Sequence, residues 1–328
     1  MTPIQPPAPT QALAWWRVIS RRTLQAVLLA SLVSSLCFAM TRLLPGDMAM
    51  RIAAGRHGPD LVNLAAAQAV HEELGLGRPA WQAWLDWQWQ LAQLNLGTSW
   101  VSGQSVWREV SHQLGATLEL SLAAVALAML LGLPLGVVAG LRPMGWVDKV
   151  SMALAVWFKA TPTFLLAVLL MLGVAVHLGI LPVGGDAHAQ GLALPALTLA
   201  LGLAAGLARI TRQAVQAAVS LPSHEFMRTK GLSDAQAWWR HGWRHASVPV
   251  LNYLGVQAVF LIEGAVVVES LFAWPGIGHA LVHAIFGRDI PMIQGTALCM
   301  GLCVVACNLM VDALGRVLDP RPTWSASA

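Results

Sequence analysis

Six stretches of about twenty apolar residues, each almost free of charge, constrain this chain more than any motif does. They run at 24–44, 116–140, 150–176, 192–210, 250–272 and 292–314. In hydrocarbon every backbone N–H and C=O must be satisfied internally, which leaves helices or closed barrels. Runs of this length suit helices, because twenty residues at ~1.5 Å each cover a core of ~30 Å. The expected fold is therefore an all-α polytopic membrane protein with six transmembrane helices. Composition agrees: only 11 % of the 328 residues are charged and mean hydropathy is +0.61, whereas soluble domains carry about 25 % charge. Fifteen Trp against one Tyr suit a chain with long membrane–water boundaries, where the indole ring is half buried and its N–H meets water. The pI near 9.2 does not point to nucleic acid, because the basic residues flank apolar runs rather than forming one polar face.

The connecting stretches fill in the plan. Residues 1–14 are Pro-rich and expected to be disordered. Trp15 to Arg22 read as an interfacial helix, and the first apolar run, lacking a small-residue cleavage site, reads as a retained anchor. Ser31, Ser34 and Ser35 can hydrogen-bond within that span or to a neighbour. The long polar stretch at 45–113 contains an amphipathic pattern over Leu61–Leu74, stopped by Gly75 and Gly77. Pro79 then opens a helix carrying Trp81, Trp84, Trp87 and Trp89, read as a cap on the bilayer surface rather than an aromatic ligand cage. Pro162 falls inside the third span. Residues 181–186 form an outer turn, and 274–286 form a re-entrant or interfacial helix. With both termini inside, the inner set is Arg17, Arg21, Arg22, Arg142, Lys149, Arg209, Arg212, Arg228, Lys230, Arg240, Arg244, Arg316 and Arg321. The outer set is Arg42, Arg51, Arg56, Arg78, Arg108 and Arg288. Thirteen against six obeys the positive-inside rule.

Catalytic and metal signatures are missing from the sequence. It has no P-loop, no H-E-x-x-H and no G-x-S-x-G run. Cys299, Cys303 and Cys307 recur at i, i+4, i+8, a spacing that suits small packing residues better than a zinc site, which needs four ligands and a polar second shell. His279 and His283 form an i, i+4 pair that is a weak two-ligand candidate. His241 and His245 form another, read as packing beside Trp243 or solvated.

Glu225 to Pro249 has no lipid-compatible surface of its own. It is basic and Trp-rich, and Gly231 interrupts its helical pattern. It reads as a structured cytoplasmic hairpin that docks on another protein. With Leu43-Leu44-Pro45-Gly46-Asp47, Glu73-Leu74-Gly75-Leu76, Arg78-Pro79, Leu96-Gly97-Thr98-Ser99 and Ala116-Thr117-Leu118-Glu119-Leu120, the chain begins to show a pattern. Leu194-Pro195-Ala196-Leu197-Thr198-Leu199, Gly264 to Glu269, Phe272, Trp274-Pro275-Gly276-Ile277-Gly278, Arg288-Asp289 and Leu318-Asp319-Pro320-Arg321 complete it. In order across most of the chain, these residues resemble the permease subunits of the peptide/nickel class of bacterial ABC importers, the subunit with the large first periplasmic loop.

That resemblance implies six helices of the type I ABC importer permease kind in the bacterial inner membrane, with both termini cytoplasmic. The implied divisions are a tail and interfacial helix at 1–23, a first transmembrane helix at 24–44 and a periplasmic helical loop at 45–113. A permease core at 114–314, with a coupling loop at 213–248, and a tail at 315–328 follow. Its implied partners are a second permease, two ABC ATPase subunits, a periplasmic substrate-binding protein and the lipid bilayer. No nucleic acid, metal or cofactor is expected on this chain, and ATP and Mg would sit on the ATPases. The coupling residues carried over are Glu225, Arg228, Lys230, Gly231, Leu232 and Arg240. Against the family pattern, the first coupling helix either runs into Lys230-Gly231 about three residues early or, read without a gap, keeps Glu225 six before Gly231 with Phe226 and Met227 in place of two alanines.

Ionisable residues within spans are functional candidates, because a lone charge at the bilayer centre costs ~2.5–3.5 kcal/mol on insertion scales. Lys159 and Glu263 are expected to face each other along the substrate path, with Pro162 and Glu269 as further candidates, Glu269 matching the family near the outer end as a structural or gating acid. The expected cargo is di- or oligopeptide. Rival readings are nickel or a metal chelate, or a channel or membrane scaffold without ATP coupling.

Overall fold

The computed structural model describes residues 11–43, 46–58, 63–75, 77–183 and 189–318, excluding the side chains at 11–19, 41, 189, 190, 241, 262, 263, 312 and 315–318. The chain divides into two compact units, residues 1–107 with 287–309, and residues 108–286 with 310–328. Four helical segments among the described residues are long and apolar enough to cross a membrane alone, at 20–40, 106–141, 191–219 and 290–311. Two bent helix pairs, at 146–177 and 243–271, bring the number to six.

The first unit contains α1 (Gln11–Leu43), α2 (Met48–His57), α3 (Leu64–Glu73), α4 (Ala80–Ala92) and most of α13 (Ile290–Leu318). Helix α1 is continuous where an interfacial helix and a span were expected separately, since no Gly or Pro interrupts residues 11–43. Asp47 caps α2 and Asn63 caps α3 through their side-chain oxygens, satisfying N–H groups that the first helical turn leaves free. Ala49, Ile52 and Ala53 of α2 bury against Ala67 and Val70 of α3. Helix α4 turns Trp84 and Trp87 onto α1, where their indole N–H groups donate to Ser35 Oγ and Ser34 Oγ. Trp81 and Trp89 stay exposed, so the four indoles form no cage.

The second unit is built around α8 (Ala189–Val219), with α5 (Val106–Leu141), α6 (Trp146–Ala160), α7 (Thr163–Leu170) and α11 (Trp243–Leu271) packed on it. Three glycines on one face of α5 let its backbone lie directly on α8. A Cβ at Gly132 would fall 2.8 Å from the Ala204 carbonyl oxygen, one at Gly136 2.6 Å from that of Ala208, and one at Gly140 2.6 Å from Val215 Cβ. Lipid tails are as apolar as the helices, so close van der Waals contact of this kind drives association within a bilayer.

The helices outrun the apolar runs that announced them. Helix α5 begins at Val106, α8 continues to Val219 into the stretch expected as loop, and α11 begins at Trp243 with Pro249 inside it. Polar residues extend a helix beyond the hydrocarbon as readily as apolar ones continue it. The third span is not one helix with an internal proline: Pro162 separates α6 from α7, the chain turns by 105°, and a π-helical segment, Met171–His177, closes the pair. Pro162 has no N–H to continue the α6 ladder and biases Thr161 to extended backbone. The expected tail at 1–14 is outside the described residues except for 11–14, which are helical. The outer turn at 181–186 and the tail from 315 also fall partly outside them.

If the α5–α8 approach holds the second unit, Gly136→Val should cost about 1–3 kcal/mol by overpacking and lower the Tm in detergent by several degrees. Gly115→Ala on the same helix, where a Cβ meets nothing within 4 Å, should leave the Tm unchanged or slightly raised. Equal Tm values for the two variants would contradict this packing.

Candidate functional site

The break at Pro162 opens the second unit beside α8. A cavity of about 340 Å³ lies there, lined by Lys159, Thr161 and Thr163 from the α6–α7 corner, Thr198 of α8, and Gln257 and Gly264 of α11. Pro162 makes the corner rather than the lining. Lys159 is exposed and sits in an apolar helix. Its expected partner Glu263 belongs to α11, one residue before Gly264, but the Glu263 side chain is outside the described residues.

Glu269 does not join this cavity. It is fully buried and accepts hydrogen bonds from Thr117 Oγ1 (2.6 Å), Gly278 N (2.8 Å) and His279 N (3.2 Å). Gly276 and Gly278 make room for it, since a Cβ at either would run into the carboxylate. Trp274 Nε1 donates to the Ala116 carbonyl at 3.0 Å, and Ile277 N donates to Thr117 Oγ1 at 2.8 Å. Glu269 and Thr117 thus clamp the turn entering α12 (Ile277–Gly287) onto α5, with the acid at the positive end of a helix. On α12 the His279 and His283 rings meet edge to face, 4.5 Å between centroids. No third ligand gathers near them among the described residues.

The hairpin comprises α9 (Pro222–Thr229) and α10 (Asp234–Ala237). Gly231 turns between them at φ +86°, a left-handed conformation that favours glycine. Ser233 and Gln236 form a reciprocal capping box at the start of α10. Asp234 reaches back to both His224 and Arg228 of α9, each at 3.3 Å. A π-helical segment, Trp238–Gly242, then leads directly into α11. Trp238 is buried among Ala214, Val215, Ala218 and Ala246, and Gly242 leaves space for its ring. Trp239 and Phe226 remain exposed. So do Glu225, Arg228, Lys230, Gly231 and Arg240, while Leu232 is half-buried. Lys230 Nζ sits 4.6 Å from the Phe226 ring centroid. The hairpin is thus anchored on one side and presents a basic, aromatic face on the other.

One joint escaped the sequence reading. Asp148, buried in the first turn of α6, takes a two-pronged contact from Arg212 of α8, with Nη2–Oδ2 at 2.8 Å, and accepts Met144 N at 2.9 Å. The pair is 64 residues apart in sequence, so no local pattern announces it; the only hint was an acid in a helical first turn beside a basic loop.

The first unit has a clamp of its own. Asp289 accepts from Ser99 Oγ, Trp100 N (3.1 Å) and Met292 N (3.3 Å), and Arg288 Nη1 donates to the Gly46 carbonyl at 2.9 Å. Arg56 binds the Trp100 carbonyl and both oxygens of Glu73, holding the Glu73 carboxyl below the usual carboxylate range.

Comparison with known proteins gives a consistent picture. Residues 132–324 match the family described as binding-protein-dependent transport system inner membrane component. A provisionally named peptide transport system permease protein of Brucella abortus is 36 % identical over 312 residues, covering 93 % of this chain and 98 % of that one. The glutathione transport system permease protein GsiC of Pectobacterium atrosepticum is 37 % identical over 293 residues, covering 88 % and 93 %. Among solved structures, the MetNI methionine ABC transporter in inward-facing conformations aligns with TM-score 0.53 and 18 % identity, covering 64 % of this chain and 95 % of that one. An amino acid ABC transporter solved with histidines aligns at 0.50 and 20 %, covering 65 % and 94 %. At these identities the structures speak for the fold, that of type I ABC importer permeases.

Removing one member of a buried ion pair leaves the other uncompensated. Asp148→Ala should therefore cost about 3 kcal/mol, while Asp148→Leu with Arg212→Met should recover most of that loss in the same thermal unfolding assay. A double variant as unstable as the single one would mean the pair does not join α6 to α8.

Proposed function

The chain belongs to the family of binding-protein-dependent transport system inner membrane components, and from that membership, which makes it the permease subunit of an ABC importer, we propose that it carries di- or oligopeptides inward. The relatives named for peptide and glutathione transport support this cargo. A periplasmic binding protein delivers the peptide, a second permease completes the pore, and two ABC ATPases bind ATP and Mg on the inner side. Both termini are cytoplasmic, a reading supported by the thirteen-to-six distribution of basic residues.

One observation carries the mechanism. From Asp234 the chain is helical without interruption through the π segment and α11 to Leu271. That helix begins in the hairpin, lines the cavity at Gln257 and Gly264, and ends at Glu269. A displacement of the hairpin by an ATPase therefore reaches the cavity wall at Gln257 along one helix, before that helix bends by 50° between Leu261 and Gly264. Arg228, Lys230 and Arg240 give the docking face its charge, and Gly231 and Leu232 shape its turn. Glu225, on the exposed side of α9, belongs to the same face. Lys159, Pro162 and Glu263 belong to the path, and Glu269 fixes the outer end of α11. Alternating access then needs only rigid-body rocking that ATP binding biases. The eight residues of α9 give about two turns to seat in the ATPase.

The test is uptake into proteoliposomes holding both permeases, the ATPases and the cognate binding protein, offered labelled dipeptides and nickel chelates in turn. Peptide uptake that needs both ATP and binding protein is expected. Replacing Arg228, Lys230 and Arg240 together by Ala should lower it more than tenfold at unchanged Tm. Nickel-only uptake, or flux independent of ATP, would replace this reading with a metal carrier or a channel.

A further inference from the structure

A second cavity, of about 440 Å³, shares Lys159 with the first as a lining residue. Arg209 and Gln213 of α8 and Tyr253 of α11 complete its polar lining. Every one of these groups can donate a hydrogen bond, and the Lys and Arg heads cannot accept one. Neither Lys159 nor Arg209 has a hydrogen-bond or ion-pair partner among the described residues. No carboxylate lines this cavity among them.

Two further observations point to a ligand. The Tyr253 hydroxyl is shut off from solvent yet has no hydrogen-bond partner, an arrangement that is costly until an acceptor arrives. Gly206 holds it there, since a Cβ on Gly206 would occupy the place of the phenol oxygen. Arg209 also lies in a helix long and apolar enough to span a membrane, Lys159 lies near the corner of a bent helix pair that reaches that length only together, and both are exposed on this chain. Charged residues in such helices face the bundle interior, a water-filled path or another protein, not lipid.

We propose that this cavity receives the C-terminal carboxylate of the peptide as it passes, with Lys159 and Arg209 supplying charge and Tyr253 a directed donor. A carboxylate is acceptor-only and fits an arginine fork with two parallel bonds. The first cavity, with Thr161, Thr163, Thr198 and Gln257, then takes the rest of a small peptide without demanding a particular side chain. The inference rests on the peptide-import reading above and adds the chemical group the pathway recognises.

Binding proteins can themselves select peptide termini, so the test omits that protein. Equilibrium binding of labelled dialanine and of dialanine amide is measured on the purified complex of both permeases and the ATPases. The acid should bind at least tenfold more tightly than the amide. Lys159→Gln or Arg209→Gln should each remove most of that preference, Lys159→Arg should retain it, and Tyr253→Phe should weaken acid binding severalfold while leaving amide binding alone. Acetate competing as well as dialanine would identify a site for free anions and overturn the proposal. Equal binding of acid and amide, no binding of either, or a preference that survives loss of both cations would also overturn it. In those cases, ATP-driven dipeptide uptake by the complete transporter would leave peptide import standing, and its absence would bring down both.

Discussion

The backbone of α5 lies against α8 through Gly132, Gly136 and Gly140, and the arrangement of the second unit depends on that approach. With α8 held so closely on one side, its remaining faces serve everything else. Asp148 and Arg212 fix α6 to it, Tyr253 lies across Gly206 to bring in α11, and Trp238 seats the hairpin among Ala214, Val215 and Ala218. The cavities and the basic face of the hairpin thereby share one framework. Nothing hydrophobic in the aqueous sense draws these helices together within a bilayer, so small residues and a few polar joints must do it.

Charge is used in two opposite ways along this framework. Glu269 and Asp289 are buried, and each collects a hydroxyl and several backbone N–H donors, which makes them ties between distant segments. Lys159 and Arg209 are exposed, unpaired among the described residues and adjacent to cavities. Burial with full hydrogen bonding marks structural acids, whereas an unsatisfied cation in an apolar helix marks a surface that meets something else. Glu269, read from sequence as a pathway candidate and as a structural or gating acid, is one of the ties, while Arg209, read from sequence only as a topology signal, is an exposed cation beside a cavity.

Much of this was legible before any coordinates. Six apolar runs foretold the spans because hydrocarbon leaves the backbone few options, and the Gly231 turn and the basic hairpin stood out against them. The short motifs were also visible, but their purpose was not: Thr117 meets Glu269 across 152 residues and Ser99 meets Asp289 across 190. Pairings at that distance leave no trace in local periodicity. The same holds for Asp148 with Arg212, and for Trp84 and Trp87 with the serines of α1. Helix ends were misjudged because hydropathy reports where the lipid stops, not where the helix does, and the corner at Pro162 was hidden because membrane helices often absorb a proline without breaking.

We propose that the hairpin and the Gln257 side of the cavity wall move as one body, because α10, the π segment and α11 up to its 50° bend at 261–264 form a continuous helical element. Pulsed electron–electron distance measurements on the assembled, otherwise cysteine-free transporter test it directly, with spin labels at Glu225 on the exposed face of α9 and at Val256 on α11. The distance between them should be the same with and without ATP, while the distance from Val256 to a label on the second permease changes. A hairpin-to-α11 distance that shifts with nucleotide while Val256 stays still relative to the second permease would contradict it.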